Sequence, residues 1–364
     1  MRIVLAISSL KGGGAERVMA WLASTLAERG HSVSLLTMIG PEADRYDLDP
    51  GVTRQSLTLR RYLNSKAVTA IINFLRWRQL LITRCRVDRA DVVLSFMDGM
   101  NVYCLASLLG RRTPVVVAER IDPSQSNVAL LKRLLRPWLY RRRAATVVFQ
   151  VSDFATKFQD KWHLPRVHVI PNAVLPHFTG TGNRSDPLVL SVGRLDPQKG
   201  HDILLEAWRQ LGADRQGWHL RIVGDGPARA HYEALVRDHG LADSVELAPF
   251  TEDIAAVYDA ASIFVFPSRF EGFPNALIEA MAMGKAVIAS DLPPACREIV
   301  THDTNGLLFD GTSPQELAAA LRRLIEDAEA RARLSEAARK VRTRYAEPEI
   351  FSLWEKCLAE AAYG

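Results

Sequence analysis

The feature that most constrains this chain is an alternation of short apolar runs with longer stretches of helical spacing. "RIVLAIS" leads through a glycine turn into "AERVMAWLASTLAERG", which is apolar at Val18, Trp21, Leu22 and Leu26 and is closed by Gly30. "HSVSLLTM", "ADVVLSF", "TPVVVAE", "ATVVFQVS" and "VHVIPNAV" continue the series. Such a pattern predicts βα units and a parallel sheet. Residues 174–187, "VLPHFTGTGNRSDP", interrupt it with prolines and glycines and read as a linker. A second series then runs through "LVLSVGRL", "WHLRIVGDG", "SVELAPF", "SIFVFPS", "AVIASD" and "GLLFD", before two helical stretches that end the sequence. At 364 residues the chain exceeds what one core usually serves, so two α/β domains are expected.

Composition narrows the class. Hydrophobic residues make up 48% and charged residues 24%, the balance of an ordinary soluble globular protein. The longest uncharged apolar candidate, "GMNVYCLASLLG", is too short to span a bilayer. The N-terminal "MRIVLAISSL" reads as a first strand rather than a signal peptide. Cys85, Cys104, Cys296 and Cys357 are far apart and form no C-x-x-C pair, which suits a reduced cytosol and argues against a disulfide framework or a zinc site. The histidines show no ligand spacing, so no structural metal is expected. Charge is uneven: residues 1–182 hold 26 Lys and Arg against 13 Asp and Glu, and residues 183–364 hold 20 against 28. Halves of +13 and −8 suggest two domains with different partners.

Three glycine turns follow strands. "SSLKGGGAER" brings Gly13 and Gly14 to a helix N-terminus, where backbone amides suit an anion and where any βα unit also needs a tight turn. It matches neither a P-loop nor a dinucleotide fingerprint. "SVGRLDPQKG" sets Arg194 and Lys199 across a turn after Gly193, which suits a diphosphate clamp or a solvated basic turn. "IVGDGP" supplies Gly224 and Gly226. The stretch "EGFPNALIE" begins with Glu271 in a loop at a strand's carboxyl end and finishes with Glu279 in the first turns of a helix over 276–283.

Taken together, "GGGAER", "VIPNAV", "GRLDPQKG", "GDGP", "FPSRFEGFPNALIEAMAMGKAVIASD" and "NGLLF" resemble, in order, the retaining GT-B glycosyltransferases of group 1, also called family 4. The resemblance implies two Rossmann-like domains facing across a cleft: 1–175 for the acceptor and 176–345 for the nucleotide sugar. It also implies a helix in 346–364 that returns to the first domain, with Phe351 and Trp354 on it. It implies that Arg194 and Lys199 bind the donor diphosphate, so that no metal or other cofactor is required, that Glu279 accepts from the ribose hydroxyls, and that Glu271 faces the donor sugar without forming a covalent intermediate. Backbone around Phe273, Pro274 and Asn275 would help hold phosphates and sugar, with Gly13 and Gly14 approaching from the other domain as the cleft closes. Gly224, Gly226 and Phe250 would lie near the base. "VVVAERIDP" brings Glu119 and Arg120 to the acceptor side, where Glu119 is either catalytic or part of a loop ion pair.

Basic clusters occupy 59–89 and 130–144. In the first, Ala67, Ala70, Ile71, Phe74 and Leu81 form a helical stripe, and Arg76, Arg78 and Arg84 gather around Trp77. In the second, Arg133, Arg136 and Arg141 interleave with Leu, Trp138 and Tyr140. Arginines beside Trp and Leu suit an anionic membrane surface or merely solvated arginine-rich helices, and no nucleic-acid signature accompanies them. The expectation is a cytoplasmic enzyme, peripheral on the inner face of the cell membrane. It would move a sugar from a UDP-sugar, UDP-N-acetylhexosamine being favoured, to a glycan or polyprenyl-diphosphate-linked acceptor. A GDP-mannose-dependent mannosyltransferase and a GT-B-shaped UDP-N-acetylglucosamine 2-epimerase are the alternatives.

Overall fold

The computed structural model describes residues 1–58, 66–125, 130–178, 186–251 and 253–364. The chain divides into two compact units, Met1–Asn172 with Ile350–Gly364, and Ala173–Glu349. The divisions expected from sequence fell at 175/176 and 345/346. Each unit is a Rossmann-like parallel sheet with helical crossovers.

In the first unit the strands are β1 (Arg2–Ile7), β2 (Ser32–Thr37), β3 (Val52–Ser56), β4 (Val92–Phe96), β5 (Val115–Ala118), β6 (Thr146–Phe149) and β7 (Val167–Val169). They pair in the order β3-β2-β1-β4-β5-β6-β7, with every pairing parallel. Val4, Leu5, Ala6 and Ile7 are fully buried, as a central strand covered on both faces requires. The sequence gives no sign of β3: "VTRQS" mixes polar residues into an edge strand, so no apolar run marks it. Helix Gly14–Glu28 buries Val18, Met19, Leu22, Ala23 and Leu26, and left-handed Gly30 (φ 82°) turns the chain into β2.

Helix Lys66–Val87 differs from the predicted stripe. Its buried side carries Asn73, Trp77, Leu81 and Cys85, whereas Ile71 is exposed. Trp77 sits in the core rather than among surface arginines, because positions 73, 77 and 81 share a face that Ile71 does not. The closing helix, Glu347–Tyr363, belongs to the first unit from Ile350 onward. Trp354 packs 5.5 Å from Phe96, and Phe351 meets the edge of Trp21 at 6.4 Å. His31–Glu355 (3.0 Å) and His168–Glu360 (3.3 Å) contacts secure its length.

The second unit contains β8 (Leu188–Val192), β9 (His219–Val223), β10 (Val245–Ala248), β11 (Ile263–Phe266), β12 (Ala286–Ser290) and β13 (Leu307–Phe309), in the order β10-β9-β8-β11-β12-β13. Strands are added on one side from β8 to β10 and on the other from β11 to β13, and at such a switch point the loops beyond the strands part to leave a crevice. The predicted linker is anchored at its start. Val174 donates its amide to Tyr345 O, and Phe178 is buried edge-on to Tyr258 at 5.8 Å. Residues 179–185 lie outside the described residues.

Candidate active site

The second unit's site is built where the loops after β8, β9 and β11 interlock. Gly200 (φ 67°) and Gly224 (φ 151°) adopt backbone that favours glycine, and a Cβ on either would overlap a carbonyl oxygen, that of Pro267 or of Gly193. A Cβ on Gly226 would likewise overlap Leu195 O. Gly193 lies under the Lys199 stem, 3.3 Å from its Cδ to an added Cβ, so the lysine is laid across the strand end. Leu195 N donates to Asp225 O (3.0 Å) and Arg269 N to Gln198 O (2.8 Å), while Gln198 Nε2 reaches Phe270 O (2.8 Å). Arg269 grips Asp202 with two bonds of 2.9 and 2.6 Å, tying the β11 loop to the helix that follows β8.

This stitching brings Lys199 Nζ to Glu271 Oε1 at 2.6 Å. The two side chains are 22% and 10% exposed, so the pair is sheltered yet accessible. An ammonium carries three N–H donors, and this contact uses one. Arg194 is 62% exposed and pairs with Asp196 at 3.0 Å, and Asp196 also accepts from Gln198 N at 3.0 Å to fix the turn. His201, directly behind Lys199, is buried edge-on to Tyr232; burial, then the Lys199 charge, push its imidazole down to about 4. It is therefore neutral at physiological pH.

Glu279 rides in helix Asn275–Ala282, which begins one residue earlier than expected. The carboxylate is buried and accepts from Tyr258 Oη at 3.1 Å. Tyr258 is held by Phe178 and by Phe264 (5.6 Å), so a linker residue braces a site residue. Phe273 is buried edge-on to Tyr345 at 5.7 Å, Pro274 caps the helix, and Asn275 opens it. Phe250 is 60% exposed, and its amide donates to Asp225 Oδ2 at 3.1 Å. That bond, with Arg229 at 2.7 Å, holds the Asp225 carboxyl below its ordinary range. Sequence alone missed Tyr258, Gln198 and Arg269. "AAVYDAAS" and "PSRF" carry no spacing that marks a brace.

In the first unit, Gly13 caps helix Gly14–Glu28 in extended backbone (φ −137°), and the left-handed residue of the turn is Gly12 (φ 115°). Glu16 folds back to accept from the Ser9 hydroxyl. Glu119 and Arg136 correct the expectation of an exposed arginine: Arg136 is 1% exposed and pairs with Glu119 at 2.5 Å. The Tyr140 hydroxyl and Asn101 amide also donate to Glu119. Arg136 is drawn inside because Glu119, itself buried, needs a counter-charge. Arg120 is buried as well, and not a surface cation. Arg84 is half-buried against Asp88 (2.6 Å), Arg76 donates to Leu57 O, and Arg78 is half-buried. Arg133 and Arg141 are exposed. Among the described residues, no three of His, Cys, Asp and Glu converge as a metal site would require.

Comparison with known proteins adds the following. A model described as "Glycosyl transferases group 1" matches residues 178–341, and "Glycosyl transferase 4-like domain" matches residues 13–173. An α-1,4-N-acetyl-D-galactosaminyltransferase of Campylobacter jejuni, named for a diNAcBac-PP-undecaprenol-linked acceptor, is 28% identical over 99% of both chains. Among solved structures, sucrose-phosphate synthase from Thermosynechococcus elongatus superposes with a TM-score of 0.84 at 19% identity, over 99% of this chain and 100% of that one. HepE from Anabaena, in complex with UDP, gives 0.81 at 20% identity over 99% and 100%.

Proposed function

This chain belongs to the group 1 glycosyltransferases of GT-B fold, and from that premise we propose a retaining, metal-independent enzyme that transfers a sugar from a UDP-sugar to a lipid-linked glycan. The observation that carries the reading is the Lys199–Glu271 pair at the switch point of the second sheet, with Arg194 exposed on the same loop after β8. Arg194 and the free donors of Lys199 hold the donor diphosphate and offset the charge that develops on the leaving group. Glu271, fixed by Lys199, orients the donor sugar. Glu279, one oxygen engaged by Tyr258, accepts from the ribose. The acceptor hydroxyl attacks the anomeric carbon on the face the leaving group vacates. The bond to the phosphate oxygen breaks, and that oxygen takes the acceptor's proton. The Campylobacter relative's undecaprenol-linked acceptor and the UDP bound to HepE support the choice of substrates.

Thermal unfolding with UDP, GDP, ADP and dTDP, each with and without a chelator, tests the donor site. UDP at about 100 times its dissociation constant raises stability by about 2.7 kcal/mol, with or without chelator. A shift with GDP alone moves the donor to GDP-mannose, and a shift abolished by chelator sinks the metal-independent mechanism.

Helix Leu130–Arg143 supports a membrane-facing surface. Leu134 (66%), Leu135 (41%) and Trp138 (51%) are exposed beside exposed Arg133 and Arg141. Helix Asp98–Ser107 joins it to helix Lys66–Val87, with Tyr103 meeting Phe74 at 5.5 Å and Lys132 at 3.9 Å. No helix of the described residues is long and apolar enough to cross a membrane. Anionic vesicles are expected to sediment with the protein, and Trp138→Ser with Leu134→Ser to weaken this. Unchanged sedimentation of that double variant removes this helix from the reading.

A further inference from the structure

Among the described residues, the first unit encloses a cation whose charge no neighbouring carboxylate meets. Arg120 follows β5 and is 8% exposed. Its guanidinium lies 4.5 Å over the Phe96 ring, which packs in turn on Trp354 of the closing helix. Nη2 donates to Asn172 Oδ1, an atom that also accepts from Gln150 Nε2 at 2.9 Å. Among the described residues, Nε and Nη1 have no hydrogen-bond partner and no carboxylate pairs with this arginine. The adjacent carboxylate, Glu119, is turned into Arg136, Tyr140 and Asn101 and is not shared.

A buried ionised group without a counter-charge is strongly unfavourable, and burial alone lowers Arg120 to about 9. Aromatic stacking and one amide offset only part of that. Two idle donor nitrogens on a fixed, planar, weakly hydrated cation are what a phosphoryl oxygen is bound by. We propose that Arg120 is the receiving residue of an oxyanion site in the first unit, built from Arg120, Asn172 and Phe96, that takes a phosphoryl group of a substrate. This rests on the glycosyltransferase reading, which brings two phosphorylated molecules to the enzyme, the nucleotide sugar and a diphosphate-linked acceptor.

The test is thermal unfolding of the full chain with inorganic pyrophosphate as the probe, on the wild type, Arg120→Met, and an Arg194→Gln/Lys199→Gln double variant. Without ligand, Arg120→Met melts above the wild type, since an uncompensated buried charge becomes an apolar side chain of similar length. Its pyrophosphate-induced shift is smaller than that of the wild type, the remainder coming from Arg194 and Lys199, and its UDP shift is retained. The double variant keeps the part of the pyrophosphate shift that Arg120 supplies. A double variant with no pyrophosphate shift overturns the proposal, because Arg120 then binds none by itself. A pyrophosphate shift equal in Arg120→Met and wild type overturns the proposal, and so does ligand-free melting of Arg120→Met below the wild type. Should Arg120→Met fail to accumulate, Arg120→Lys, which keeps the charge but lacks Nε and the planar fork, shows a reduced pyrophosphate shift if the site exists and an unchanged one if it does not. Absence of a UDP shift in the wild type defeats the donor reading separately and leaves the Arg120 result standing.

Discussion

Two carboxylate–cation pairs, one in each unit, are anchored just past the carboxyl ends of central strands, and they differ in what remains unused. The Glu119 and Arg136 side chains are 1% and 2% exposed; Arg136 Nε, the Tyr140 hydroxyl and the Asn101 amide donate to Glu119 Oε1, and Arg136 Nη2 lies 2.5 Å from Oε2. Burial, with Glu119 beside it, pushes the Tyr140 hydroxyl well above its ordinary range, so it stays a donor. Glu271 and Lys199 are 10% and 22% exposed, and the ammonium keeps donors to spare. The same residue types therefore serve two ends. A sealed pair holds the fold together, whereas an accessible one at a crevice is available to a ligand.

The largest expected effect breaks the closed pair. Arg136→Met leaves Glu119 buried without a counter-charge and costs about 3–5 kcal/mol, read by denaturant unfolding. Adding Glu119→Leu restores much of that loss. If Arg136→Met instead unfolds like the wild type and abolishes transfer, the first pair belongs to the chemistry and the contrast fails.

The open pair answers in activity. Glu271→Gln keeps the shape and removes the charge. Transfer is expected to fall about 100- to 1000-fold, which is about 2.7–4 kcal/mol of transition-state stabilisation, with the UDP shift kept. Unchanged turnover removes Glu271 from its assigned role. A large loss of stability in its place makes the Lys199 contact structural, as in the first unit.

The two pairs also mark what sequence could carry. The strand-and-turn alternation gives both parallel sheets, because fully buried strands need apolar runs and the turns need glycine at Gly200 and Gly224. Edge strand β3 escaped because solvent on one side removes that demand. "EGFPNALIE" and "GRLDPQKG" were legible as separate motifs. Their contact at 2.6 Å joins residues 72 positions apart, and the stitching by Gln198 and Arg269 that enforces it has no local signature. "LLKRLLRPWLYRRR" looked uniformly basic and superficial, yet Arg136 and Tyr140 point inward while Trp138 and Arg133 point out. Helical phase separates them. Which phase faces the core depends on Glu119, a residue outside that helix.

The smallest effect sharpens why the second pair stays open. His201 sits behind Lys199, and burial together with that ammonium lowers it to about 4 from an ordinary 6.5. Between those values the unfolded chain binds a proton that the folded chain refuses. Stability from this residue is thus complete above about 6.5 and is lost as pH falls toward 4, with a slope of up to about 1.4 kcal/mol per pH unit. Denaturant unfolding at pH 7, 6 and 5 is expected to show a shallower acid limb for His201→Gln than for the wild type. An equal limb means that the imidazole gains its proton inside the folded chain. A second cation would then stand behind Lys199, and the balance of one ammonium against one carboxylate, on which the open pair depends, would not describe the site below pH 6.5.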